Sequence, residues 1–124
     1  MVNYAALDFG SNSTRVLIAS VENGEINKIR KKHIVTKMAE GIPSSGDISE
    51  NALTRVTEAV SIFFEEISKH EVGGIFAVGT SAMRDSKNSL EIKKYIKEKF
   101  NLDIEVISGT EEAKLTLNNV LKSH

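Results

Sequence analysis

At 124 residues and 40% hydrophobic, the chain holds apolar material for one core and is too short for two full domains. Its 16 Lys and Arg against 17 Asp and Glu give a net charge of -1, which excludes a whole-chain basic field for nucleic acid. The lack of cysteine excludes a disulfide framework, a thiolate nucleophile and Cys-ligated zinc, and three histidines make a weak case for a metal.

Tyr4 to Asp8 reads as a short apolar strand, followed by a turn of small polar residues from Gly10 to Ser13. Val16 to Val21 is rich in β-branched residues, and Asn23-Gly24 is a reversal signal, so a second and an antiparallel third strand, Ile26 to Val35, follow. Lys28, Arg30, Lys31 and Lys32 mark that third strand as an exposed edge. Lys37 to Asp47, with Gly41, Pro43 and Gly46, reads as a loop. Ser49 is an N-cap for a helix to about Lys69, because Leu53, Val56, Val60, Phe63, Phe64 and Ile67 form one apolar stripe.

Gly74 to Gly79 is apolar on both alternating faces, as in a strand buried within a sheet, and Thr80-Ser81 ends it. Asn88 with Glu91 resembles a capping pair opening a second amphipathic helix through Ile92, Tyr95, Ile96 and Phe100. Asp103 to Ile107 is a fifth strand. Ser108-Gly109-Thr110-Glu111 then reads as a capping box for a helix carrying Ala113, Leu117, Val120 and Leu121.

Three meander strands followed by right-handed β-α-β units specify an α/β fold: a mixed five-stranded sheet with helices on its faces. By analogy of element order, this is the ribonuclease H-like arrangement that also forms each lobe of actin-like phosphotransferases. In such sheets the functional edge is where loops leave the strand ends. Three polar loops gather there. The first, Asp8 to Arg15, offers a carboxylate, a glycine and the small residues Ser11, Asn12 and Ser13, whose amides can cup a phosphate; an ordinary hairpin turn is the structural alternative. The second, Gly79 to Asp85, carries Thr80, Ser81 and Arg84, which can fork onto phosphoryl oxygens or simply pair with Asp85 or Glu91. In the third, Glu111 suits the helix dipole, whereas Glu112 stands where a carboxylate can orient or deprotonate an attacking water.

The strings Ala6 to Arg15, Gly79 to Asn88 and Glu105 to Ala113 resemble, in order and spacing, three successive motifs of the exopolyphosphatase and guanosine pentaphosphate phosphohydrolase (Ppx/GppA) family. Ala39-Glu40-Gly41-Ile42 and the cap at Ser49 extend the likeness to nearly the whole chain. The resemblance implies an actin-like phosphatase that uses magnesium to remove the terminal phosphoryl group from polyphosphate or pppGpp. It implies that Glu112 activates water and Arg84 contacts the phosphoryl group. Gly10, Ser11, Asn12 and Ser13, with Arg15, Thr80 and Ser81, would bind phosphate, and Asp8 would stand near the metal.

The family's second phosphate loop is expected beyond the helix that begins at Glu111, and this sequence stops at His124 before it. Residues 1–124 therefore read as one domain, the N-terminal lobe of such an enzyme, expected to be weakly active or inactive by itself. A non-catalytic binding module for phosphate-rich ligands and a sugar-kinase-like lobe are the alternatives. No nucleic-acid partner is expected, and a homodimer is compatible with the sequence. No apolar run approaches the ~20 residues of a membrane span, and the first residues lack a signal peptide's features, so a cytoplasmic setting is expected.

Overall fold

The computed structural model describes residues 2–107 of the chain. Three strands open it: β1 (Val2–Phe9), β2 (Ser13–Glu22) and β3 (Glu25–Val35), an antiparallel meander longer at its ends than hydropathy suggests. Asn23 and Gly24 both take positive φ, 53° and 79°, as the tight turn between twisted strands requires. The remaining elements are α1 (Ile42–Ser45), α2 (Glu50–Ile67), β4 (Val72–Gly79), α3 (Ser81–Asp85), α4 (Ser89–Phe100) and β5 (Ile104–Val106). Strand order is β3-β2-β1-β4-β5, with β4 parallel to both β1 and β5. The expected mixed five-stranded sheet is thus present, with β3 at its edge.

The main core lies on one face of the sheet. Leu7, Phe9, Val16 and Ile18 meet Val56, Val60 and Phe63 of α2, Met83 of α3, and Ile92 and Ile96 of α4. Ser49 caps α2 as expected, its hydroxyl accepting the Ala52 N–H at 3.1 Å. On the opposite face Ala6, Leu17 and Ala19 cluster with Tyr4, Ile26 and Phe76, and Val78 with Ile107; both groups consist of residues from the sheet and its immediate margin. The helix expected from Glu111 lies outside the described residues.

The pairing of β2 with β3 slips once. Ile18 faces Arg30 and Ala19 faces Lys28, so Ile29 has no pairing partner and forms a bulge. Side-chain parity changes there. Lys28, opposite Ala19, and Lys31, opposite Leu17, consequently share the face carrying the smaller clusters, although three positions apart they would oppose one another on a regular strand.

Several expectations need correction. The Lys37 to Asp47 loop contains the one-turn helix α1, with Pro43 in its first turn, where a missing N–H costs nothing. Asn88 stands at the N-cap of α4 but makes no side-chain cap. Its amide instead clamps Ile48, accepting the backbone N–H at 2.9 Å and donating to the carbonyl at 3.0 Å. Tyr95 belongs to the solvent side of α4, 41% exposed, so the stripe of that helix rests on Ile92 and Ile96. β4 is buried only in its second half, because β5 is short and pairs with Ala77 to Gly79 alone.

Candidate functional site

The first loop is built around a glycine that admits no side chain. Gly10 donates its N–H to the Ser13 carbonyl at 3.0 Å, and a Cβ there would stand 2.8 Å from that oxygen. Behind it, the chain leaving β3 is bound to the loop. Thr36 and Lys37 each donate to the Asn12 carbonyl at 3.0 Å, and Ala39 donates to the Ser11 carbonyl at 3.1 Å. In a planar trans peptide the N–H opposes the C=O, so the Asn12 and Ser13 amides point away from residues 36–39. Buried Thr14 and Thr36 join hydroxyls at 3.0 Å beneath this clamp. The sequence carries no sign of the clamp, because its partners are brought together only by the pairing of β2 with β3.

The second loop meets the first. At the end of β4, Thr80 donates its N–H to the Phe9 carbonyl at 3.2 Å and its hydroxyl to the same oxygen at 3.4 Å. Thr80 is buried behind the loop as a brace, while half-buried Ser81 hydrogen-bonds its hydroxyl to that of Ser11. Ser81 also opens α3, a short helix not expected from the sequence, held close to β4 because Gly79 lacks a Cβ that would otherwise lie 2.9 Å from Met83. From α3, Arg84 donates through Nη1 to the Ile107 carbonyl at 2.9 Å and approaches Asp85 at 3.4 Å. The pairing with Asp85 weighed against a site role is therefore real, but the guanidinium also ties the second loop to the start of the third. Ile107 in turn donates to the Gly79 carbonyl at 3.0 Å. Glu112 and the rest of the third loop lie outside the described residues.

Asp8 sits on the sheet face away from α2, its side chain 10% exposed, directly across from Arg15. Arg15 Nη2 donates to Asp8 Oδ2 from a half-exposed position. Asp8 Oδ1 is buried and has no hydrogen-bond partner among the described residues. Among those residues no three acidic or histidine side chains form a metal cage. A hard cation that keeps several waters and phosphate oxygens needs only one or two carboxylates, and the orphaned Oδ1 fits that demand. Asp8 and Arg15, Ser11 and Ser81, and Arg84 with Ile107 are thus brought to one end of the sheet, the end at which β1 and β4 terminate.

The chain matches the model of the Ppx/GppA phosphatase family over residues 17–124. It is 31% identical over 110 residues to a putative exopolyphosphatase of Haemophilus influenzae, covering 89% of this chain and 34% of that protein. Among solved structures, an Aquifex aeolicus member of the Ppx/GppA family superposes with a TM-score of 0.84 at 26% identity, over 90% of this chain and 36% of that one. An exopolyphosphatase from Cytophaga hutchinsonii gives 0.84 at 28% identity, over 90% and 36%. The chain therefore spans about a third of the length of the curated relative it matches.

Proposed function

The chain belongs to the Ppx/GppA phosphatase family, and from that premise we propose that it supplies the first phosphate-binding half of an enzyme hydrolysing terminal phosphoanhydride bonds of polyphosphate or pppGpp. One observation carries the reading: the hydroxyl contact of Ser11 with Ser81 and the Arg84 bond to the Ile107 carbonyl bind three loops, far apart in sequence, into one polar edge. Amides of Asn12 and Ser13, with the Ser11 and Ser81 hydroxyls, receive phosphate oxygens, and Gly10 lets the chain approach them. Arg15 and Arg84 supply guanidinium charge to the phosphate in this reading.

In the reaction, a water oxygen attacks the terminal phosphorus, the bridging P–O bond breaks, and orthophosphate leaves the shortened chain. Glu112 takes the proton of the attacking water. Phosphoryl transfer of this kind asks chiefly for placement and charge neutralisation. Asp8 Oδ1 would hold magnesium directly or through water, and the ion would supply neutralisation of the phosphate oxygens. Residues 1–124 are one lobe, and the counter-lobe closes the cleft and completes the phosphate clamp, in a cytoplasmic enzyme.

The test is calorimetric titration of the chain with tripolyphosphate and magnesium. Arg84→Ala should weaken binding at least tenfold, by analogy with charge-assisted contacts worth about 1.5–3 kcal/mol, whereas Lys94→Ala on α4 should not. Equal effects of the two substitutions would reduce Arg84 to a strut between loops and overturn its role.

A further inference from the structure

We infer that the outer margin of β3 is a second binding site, for the trailing part of a polyphosphate chain. The inference rests on the phosphatase reading above and selects the polymer over a nucleotide as the ligand that fits this chain best. The bulge at Ile29 is its foundation. It turns Lys28 to the same side as Lys31 and His33, which lie opposite Ala19, Leu17 and Arg15 in turn. Arg15 reaches Asp8 at the catalytic edge. Four cationic or protonatable side chains therefore form a row that starts at the site and runs down the sheet margin, within a chain whose total charge is only -1.

Protection of an edge strand does not account for this row. A few charges suffice to discourage strand pairing, and the other side of β3 already presents Arg30, in an ion pair with Glu66 at 2.9 Å, and Lys32 beside the same carboxylate. Lys28, Lys31 and His33 are exposed, and among the described residues they have no ion-pair or side-chain hydrogen-bond partner. From Lys28 to His33 the strand runs roughly 16 Å at about 3.3 Å per residue. That is longer than a single triphosphate group and suits a linear polyanion. The Tyr4 and Phe76 rings on the same face are half-buried and packed against each other in the smaller cluster, so the row offers charge along its length and single-stranded DNA tests whether base stacking adds to it.

The experiment compares long-chain polyphosphate, tripolyphosphate and single-stranded DNA as ligands of the 124-residue chain, each over a range of salt. Lys28→Glu with Lys31→Glu should weaken long-chain polyphosphate at least tenfold. The slope of log affinity against log salt should become shallower by about 1.4, since the two lost phosphate contacts no longer release about 0.7 counterions each. Tripolyphosphate should bind as before. Lys93→Glu with Lys94→Glu makes the same charge change on α4 and should leave all affinities unchanged. Lys28→Gln with Lys31→Gln removes the two charges without reversing them and guards against a folding defect; it should show the same loss in smaller degree. A change below twofold in long-chain affinity for both β3 variants overturns the proposal, as does DNA binding as tight and as dependent on these lysines as polyphosphate binding. Retained, lysine-dependent polymer binding with no tripolyphosphate binding would instead uphold the row and sink the reading of the catalytic edge.

Discussion

Gly10 in the described first loop and Glu112 in the proposed reaction are the two single residues on which the reading of this site turns. At Gly10 the limit is space: the Ser13 carbonyl occupies the position of any Cβ. Gly10→Ala should lower stability by about 1–3 kcal/mol, the range of a local backbone strain, and should abolish tripolyphosphate binding even where the chain remains folded. Thermal melts and calorimetry of the same sample separate the two effects. At Glu112 the issue is the proposed role, since of the two neighbouring carboxylates Glu111 and Glu112 only the second is proposed to take the proton of the attacking water. Glu112→Gln should reduce turnover by about 10²–10⁴ with little change in affinity, whereas Glu111→Gln should cost at most about 1 kcal/mol of stability. Steady-state phosphate release by a protein of family length carrying this segment measures the first, and thermal melts of the same variants measure the second. The reverse pattern would move the base by one residue.

Among the elements, α2 and β3 are coupled through Glu66. Burial works to raise the Glu66 carboxyl, yet the hydrogen bond and charge of Lys69 and the charges of Arg30 and Lys32 outweigh it and hold the pKa below its ordinary value of 4.5. A carboxyl depressed in the folded state contributes fully above the unfolded-state pKa, and that contribution is lost as pH falls through the folded-state value. Melting temperature should therefore drop on acidification below about pH 4.5, and Glu66→Gln should flatten that slope while lowering stability at neutral pH. At the other end of α2, Ser49→Ala should cost about 1 kcal/mol through loss of the cap to Ala52. These elements were legible because their signals are local: the Ser49 cap, the α2 stripe and the Asn23-Gly24 turn each depend on residues close in sequence. The α3 turn, the Ile29 bulge and the diversion of Asn88 to Ile48 were not legible, because each answers to a partner brought near only by the completed sheet. The candidate site divides along the same line. Its residue types and loops could be read from the sequence, while the pairing of Asp8 with Arg15 and the clamp from residues 36–39 required the register of β1, β2 and β3.

At the scale of the molecule, the dominant core among the described residues lies on one side of the sheet and supports the first two loops at its edge. Phe63 is fully buried in it, so Phe63→Ala should cost about 3–5 kcal/mol, a large share of the roughly 5–15 kcal/mol that holds a domain of this size together. Urea titration followed by circular dichroism would show the midpoint move toward zero denaturant with phosphate binding lost in parallel. The amides of Thr36, Lys37 and Ala39 belong to a different regime, because they are bonded to the carbonyls of Ser11 and Asn12 and not to a neighbouring strand. Their exchange with deuterated solvent requires only that the first loop lift from its support, a local opening far cheaper than unfolding. These three protons are thus a built-in clock for loop motion: each should exchange faster than the amides of β1 in the free chain and slow markedly when phosphate occupies the other side of the loop.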